Sequence, residues 1–192
     1  MARRLMVRIK KNADGRSSLS CTRADGSTTW QSMKNAQAAF FPRHDLTHYA
    51  VETVLGHRQG FYGLVADGWD LTDFGTPWPR GPMPKESVLS EMIVGLLDLE
   101  RASGELVRAN DVNQRLGQFC AENGLRDPQV LTDDDLSAVR QKRGELFRMW
   151  DAVEPGSTLE LAFELDRTPR SGVQFANLET RPAVLQERWS SA

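Results

Sequence analysis

Two runs of strict alternation, at opposite ends of the chain, constrain the fold more than any other feature. Leu5, Val7 and Ile9 point one way while Arg4, Arg8 and Lys10 point the other, the period-two pattern of a half-buried strand. Some 150 residues later, Leu159, Leu161, Phe163 and Leu165 alternate with Glu160, Ala162 and Glu164. The outward face of the first run is basic and that of the last is acidic. Opposite charges facing across neighbouring strands are favourable by roughly 0.2–1 kcal/mol per pair. The late strand is therefore expected to join the N-terminal sheet, beside the first strand, with the basic N-terminus as half of an ion-pair ladder.

The residues between these runs fill in the architecture. Asp14-Gly15 and Asp25-Gly26 are hairpin signals, because glycine accepts the positive φ such turns require. They separate a strand from about Ser17 to Arg23 from another through Thr28, Trp30 and Ser32. Helical periodicity follows. Pro42 suits a first helical turn and Asp45 complements the N-terminal dipole, with Gly56 as the stop. Gly75 to Pro84 holds four prolines and two glycines, which demands an extended loop. Leu89, Met92, Ile93, Leu96 and Leu97 share one face of a helix ended by Gly104. Asn110 is placed to cap a helix carrying Val112, Leu116, Phe119 and Cys120. Thr132 caps another, with Asp135 at the third position of a capping box and Leu131 and Leu136 as the hydrophobic staple. That helix buries Leu136, Val139, Leu146, Phe147 and Trp150, with Arg143 as the exception. Strands and helices are segregated, so the predicted class is α+β: a four-stranded antiparallel sheet, meander plus late strand, packed against four or five helices. Residues 1–192 read as one domain, with 167–192 a polar, Arg-rich tail carrying an apolar cluster (Val184, Leu185, Trp189).

Composition matters here for what it excludes. With 24 Lys and Arg against 26 Asp and Glu, the net charge is −2, which argues against general nucleic-acid binding. Arg167, Arg170, Arg181 and Arg188 come with no recognition module. No apolar run approaches the ~20 residues that span a bilayer, and Met1 to Met6 lacks the apolar stretch of a secretory signal. A cytoplasmic protein without a membrane partner is expected. Cys21 and Cys120 have no metal-type spacing and read as reduced thiols.

Chemistry concentrates between Phe41 and His57, which holds all three histidines. His44 and His48 are four apart, so on a helix both rings leave the same face one turn apart. This is the spacing by which a helix offers two imidazoles to one metal ion. Glu52 continues the stripe, but ~12 Å from His44 along the axis it is too far to share the ion. Glu52 and Asp45 are therefore the candidate catalytic acids, as base or as orienters of a ring. A third ligand would come from His57, beyond Gly56, or from Asp67, Asp70, Asp73 or Glu100. Glu100 falls on the apolar face of its helix and needs a metal, a histidine or an arginine as partner. The plainer alternative is a pair of hydrogen-bonded histidines that serve structure.

The string His44-Asp45-Leu46-Thr47-His48 resembles the H-D-x-x-H motif of a zinc-associated family in ubiquinone biosynthesis, which implies imidazoles for a metal. The family pattern continues with a glutamate where this chain has Gly60, and its members are largely helical. Phe41-Pro42-Arg43-His44-Asp45-Leu46-Thr47-His48 with Gly60-Phe61-Tyr62-Gly63 resembles an uncharacterised bacterial family, which implies no activity.

Other signals read as structure. A metalloprotease helix needs Glu where Asp45 stands. An HD phosphohydrolase needs a histidine upstream of His44. Gly56, Gly60 and Gly63 lack the strand-then-helix setting of a nucleotide loop. Asp133-Asp134-Asp135 opens a helix, and Ala138 occupies the glycine position of a calcium loop. Two functions remain. One is a metal-dependent protein or hydrolytic enzyme, using a divalent ion such as zinc on a small-molecule ligand, with Trp78 of the proline-rich loop over the pocket. The other is a non-catalytic binding domain that meets a protein partner. Independently of either, Thr132→Ala should lower stability by ~1 kcal/mol through loss of the cap, read as a lower denaturant midpoint.

Overall fold

In the computed structural model, which describes residues 4–75, 78–125 and 130–165, the two alternating runs close one sheet. Strands β1 (Arg4–Lys11), β2 (Ser17–Thr22), β3 (Thr28–Met33) and β4 (Thr158–Glu164) lie in the order β3-β2-β1-β4, every pair antiparallel. The register sets Arg4 opposite Glu164 and Arg8 opposite Glu160. Arg8 Nε donates to Glu160 at 2.6 Å, while its Nη1 reaches Thr22 on the other side. The outward charges thus tie three strands together. On the inward face Leu5, Val7, Ile9, Leu19, Cys21, Leu159 and Phe163 are buried.

Helices cover that inward face. α1 (Ala36–Leu55), α2 (Phe61–Ala66), α3 (Lys85–Ser103), α4 (Ala109–Glu122) and α5 (Asp133–Asp151) complete the α+β fold, with a 3₁₀ turn at Leu71–Phe74. None of the described helices is long and apolar enough to cross a membrane. α1 is the central helix. It packs on the sheet, on α3 and on α5, and residues 45–52 are all buried. Tyr49 Oη donates to the Ala162 carbonyl of β4 at 2.7 Å, fixing α1 over the late strand. Gly56 ends the helix in the left-handed conformation, φ 74°.

Two helix starts differ from the sequence expectation. α1 begins at Ala36, so Pro42 lies inside it and Asp45 is beyond the first turn. Ala36, Gln37, Ala38 and Ala39 are strong helix formers, and their propensity outweighs the one backbone bond that Pro42 removes. The dipole therefore does not explain Asp45. α4 begins at Ala109 with Arg108 as its cap residue, so Asn110 is not the cap. Asp133 of α5 reaches across instead and accepts the Ala109 N–H at 3.0 Å. Thr132 does form a capping box with Asp135, and Leu131 and Leu136 are buried beside it. The proposed tail cluster and the tail arginines lie outside the described residues.

Glu100 has its partner in arginine. It is 5% exposed, and Arg140 and Arg143 reach its two oxygens at 2.6 and 2.8 Å. Burial raises its pKa, but the two guanidinium groups and the Val107 N–H outweigh this and hold it below the ordinary glutamate value. A carboxylate so depressed contributes stability that is complete above the unfolded-state pKa and is lost as pH falls through the folded one. Glu100→Gln should cost about 3 kcal/mol near neutral pH, since it leaves two half-buried arginines without their anion. The difference from wild type should shrink in urea titrations run below about pH 4.

Candidate metal centre

α1 carries its polar residues into the interior, so each must find a partner there. α3 runs antiparallel beside it and supplies most of them. His44 Nδ1 lies 2.7 Å from Asp98 Oδ2. One turn on, His48 Nε2 lies 2.9 Å from Glu91 Oε2, and His44 Nε2 is 3.9 Å from the other oxygen of Glu91. His48 Nδ1 faces Glu52 Oε1 at 3.4 Å, a charge contact that falls short of a formed hydrogen bond. The two rings stand edge to face, centroids 4.8 Å apart. Phe40 stacks on His44 and Phe61 packs against His48, which limits ring rotation.

His44, His48 and Glu91 each offer one ligand atom, all within 4.8 Å of one another. A tetrahedral zinc-like ion bound at about 2.0–2.1 Å holds its ligand atoms about 3.3–3.4 Å apart. The His48–Glu91 and His44–Glu91 distances, 2.9 and 3.9 Å, fall on either side of this value. Closing the set on one tetrahedral ion takes side-chain shifts of about 1 Å. Two imidazoles and a carboxylate suit zinc, iron and their neighbours better than calcium or magnesium.

The cluster opens on a cleft of about 470 Å³. His44, Asp45, His48 and Glu91 line one side, with Phe61, Phe74, Trp78 and Met83 among the other walls. Trp78 and Met83 come from the proline-rich segment after Gly75. Asp45 is 3% exposed, and its Oδ2 has no hydrogen-bond partner among the described residues. Burial, opposed by the nearby His44 and His48, pushes its carboxyl up to about 7. Burial opposes the charge on His48, yet Glu91 and Glu52 outweigh it and push the imidazole up to about 10.

The structure brings three of the five expected site residues to the cleft. His44, Asp45 and His48 are there. Glu52 sits behind His48 and is committed to the fold. Its Oε2 accepts the N–H groups of Tyr62 and Gly63 at 3.0 and 3.3 Å, at the start of α2. His57 turns away, with Nδ1 2.5 Å from Ser90 Oγ, so it does not join the other two imidazoles. The remaining ligand candidates are engaged elsewhere: Asp70 with Arg23, Asp73 with Arg80, Glu100 with its arginines. Sequence reasoning missed Glu91 and Asp98. Their signal was present, because Ser87, Glu91, Val94 and Asp98 form a helical stripe beside the apolar face of α3.

No protein-family model, curated protein or solved structure matches the chain. The short motif resemblances accordingly bring it no function, and the reading of the site rests on its geometry. Gly60 and Gly63 belong to that geometry. A Cβ at Gly60 would overlap the Glu52 carboxylate, and one at Gly63 would overlap the Arg58 carbonyl. Gly63→Ala should lower stability by about 2 kcal/mol through this overpacking, measured as a shift in the urea midpoint. Gly144→Ala, which meets only the end of Arg148, is the control and should not destabilise.

Proposed function

We propose that the chain is a metal-dependent enzyme that binds one divalent, zinc-like ion through His44, His48 and Glu91 and hydrolyses a small molecule held in the cleft. One observation carries this reading: each ligand imidazole faces Glu91 with Nε2 and a further carboxylate with Nδ1. Histidines that ligate metals are almost always oriented in this way by a group on the second ring nitrogen. Asp98 is at hydrogen-bond distance from His44, and Glu52 faces His48 Nδ1 at the longer distance of 3.4 Å.

A bound divalent ion lowers the pKa of its water toward neutral pH and polarises a carbonyl or phosphoryl oxygen. The chain's own residues supply the rest. Asp45 lies beside the ligands with an oxygen that no described residue bonds, a position from which a carboxylate can act as general base toward the ion's water. Glu52 acts through His48 and does not touch the substrate. The aromatic walls lower the polarity beside the acids and imidazoles, which strengthens charge interactions there.

A second reading has its own support. With a proton in place of an ion, His48 is an imidazolium between Glu52 and Glu91, and the cluster becomes a structural ion-pair network in a binding domain. The high pKa of His48 favours it. Elemental analysis separates the two. The metal reading expects close to one divalent ion per chain after purification from zinc-supplemented medium. It expects that ion to be lost in Glu91→Gln and in the His44→Ala, His48→Ala double variant, with far-ultraviolet circular dichroism confirming that each folds. Asp45→Asn should keep the ion. A wild-type protein that carries no metal and takes none up on titration would hand the site to the second reading.

A further inference from the structure

Resting on the cleft described above, we infer that its ligand is an uncharged molecule with a ring-sized apolar body and one polar group directed at His44 and His48. The lining itself selects this class. The acids Asp45 and Glu91 gather at the histidine end, and among the described residues no lysine or arginine lines the cleft. A phosphate or carboxylate away from the histidines would leave water with no cation to receive it, at a cost of several kcal/mol in a buried setting. Substrates that carry a phosphate or carboxylate on the apolar body are therefore rejected.

The walls select for a ring. Phe61 and Phe74 pack at a tilt of 50° with ring centroids 4.7 Å apart, and Phe41, Trp78, Leu71 and Met83 extend the apolar surface around them. Aromatic surfaces of this kind pair with a flat ligand in offset or edge arrangements, worth about 0.5–1.5 kcal/mol beyond area burial. Gln31 and Gln37 add amide groups, each able to donate and to accept. Neutral amides, esters and related carbonyl compounds meet all three demands. The volume of about 470 Å³ lies in the usual range for small-molecule sites.

Three probes sharing one amide test this without presupposing the metal: acetamide, acetanilide and 4-acetamidobenzoate. Binding is read by saturation-transfer NMR on the full chain, and the metal content of each sample is measured alongside. Acetanilide should give clear transfer, acetamide none, and 4-acetamidobenzoate at least five-fold less than acetanilide. Trp78→Ala should reduce the acetanilide signal severalfold while leaving the metal content and the circular dichroism spectrum unchanged. Equal or stronger binding of 4-acetamidobenzoate, or transfer to acetamide equal to that of acetanilide, would overturn the ligand class. So would the absence of any acetanilide signal. If acetanilide binds as expected to protein free of metal, the ligand class stands and the metal reading fails. If metal is present and the anionic probe wins, the reverse holds.

Discussion

The structure depends on the burial of α1. Residues 45–52 are all buried, and the run includes Asp45, Thr47, His48 and Glu52. A helix enclosed on every side is ordinarily apolar on every side. This one is not, so its neighbours are arranged around its polar groups. Thr47 returns its hydroxyl to the Arg43 carbonyl within the helix. His44 and His48 turn to the acids of α3. Glu52 collects the first N–H groups of α2. A seam of charge between α1 and α3 thereby fixes how these two helices pack. The cleft forms where that seam reaches the surface.

The sheet makes such a helix affordable. β4 returns to pair with β1, so the inward face is wide and apolar, and Tyr49 and Phe163 meet over it with ring centroids 5.6 Å apart. Lys11, at the end of β1, donates to the carbonyls of Trp150 and Val153 at the C-terminal end of α5, where a cation complements the helix dipole. Arg23, just past β2, does the same for the Val65 and Trp69 carbonyls. Two basic residues at strand ends thus tie the helical layer to the sheet, and they lock the segment bearing Phe61 and Phe74 beside the histidines.

How much of this was legible in the sequence follows from the range of each interaction. The β1–β4 pairing was legible because two complementary alternating faces state both partner and orientation. The α5 start was legible because a capping box is local, closed within Thr132 and Asp135. The α1 start was not, because Pro42 is a strong local signal and the alanines before it form a weak cumulative one. At the site, the four-residue spacing exposed His44 and His48, but a ligand on another helix leaves no trace in local spacing. Glu91 is ten residues from Arg101 and forty-three from His48 in sequence, and only the antiparallel packing of α3 on α1 places it. Glu100 had the stronger sequence signal, an acid on an apolar face, and that signal was answered by Arg140 and Arg143.

The same packing sets the two acids of α1 apart. Glu52 continues the histidine stripe, which makes it the natural base on spacing alone. Its carboxylate, however, caps α2 and faces His48, and Gly60 is a glycine so that the carboxylate has room. Glu52 Oε2 is committed to the start of α2, and its Oε1 is turned to His48 Nδ1. Asp45 follows His44 directly, about 100° around the helix, and so leaves the α3 seam and meets the cleft. Desolvation, the cost that makes a buried unpartnered carboxylate rare, is also what raises its proton affinity into the neutral range. Glu52 is held by the start of α2, and Asp45 keeps a buried oxygen, Oδ2, that no described residue bonds. Asp45 is therefore the acid to which the proposed reading gives the role of base.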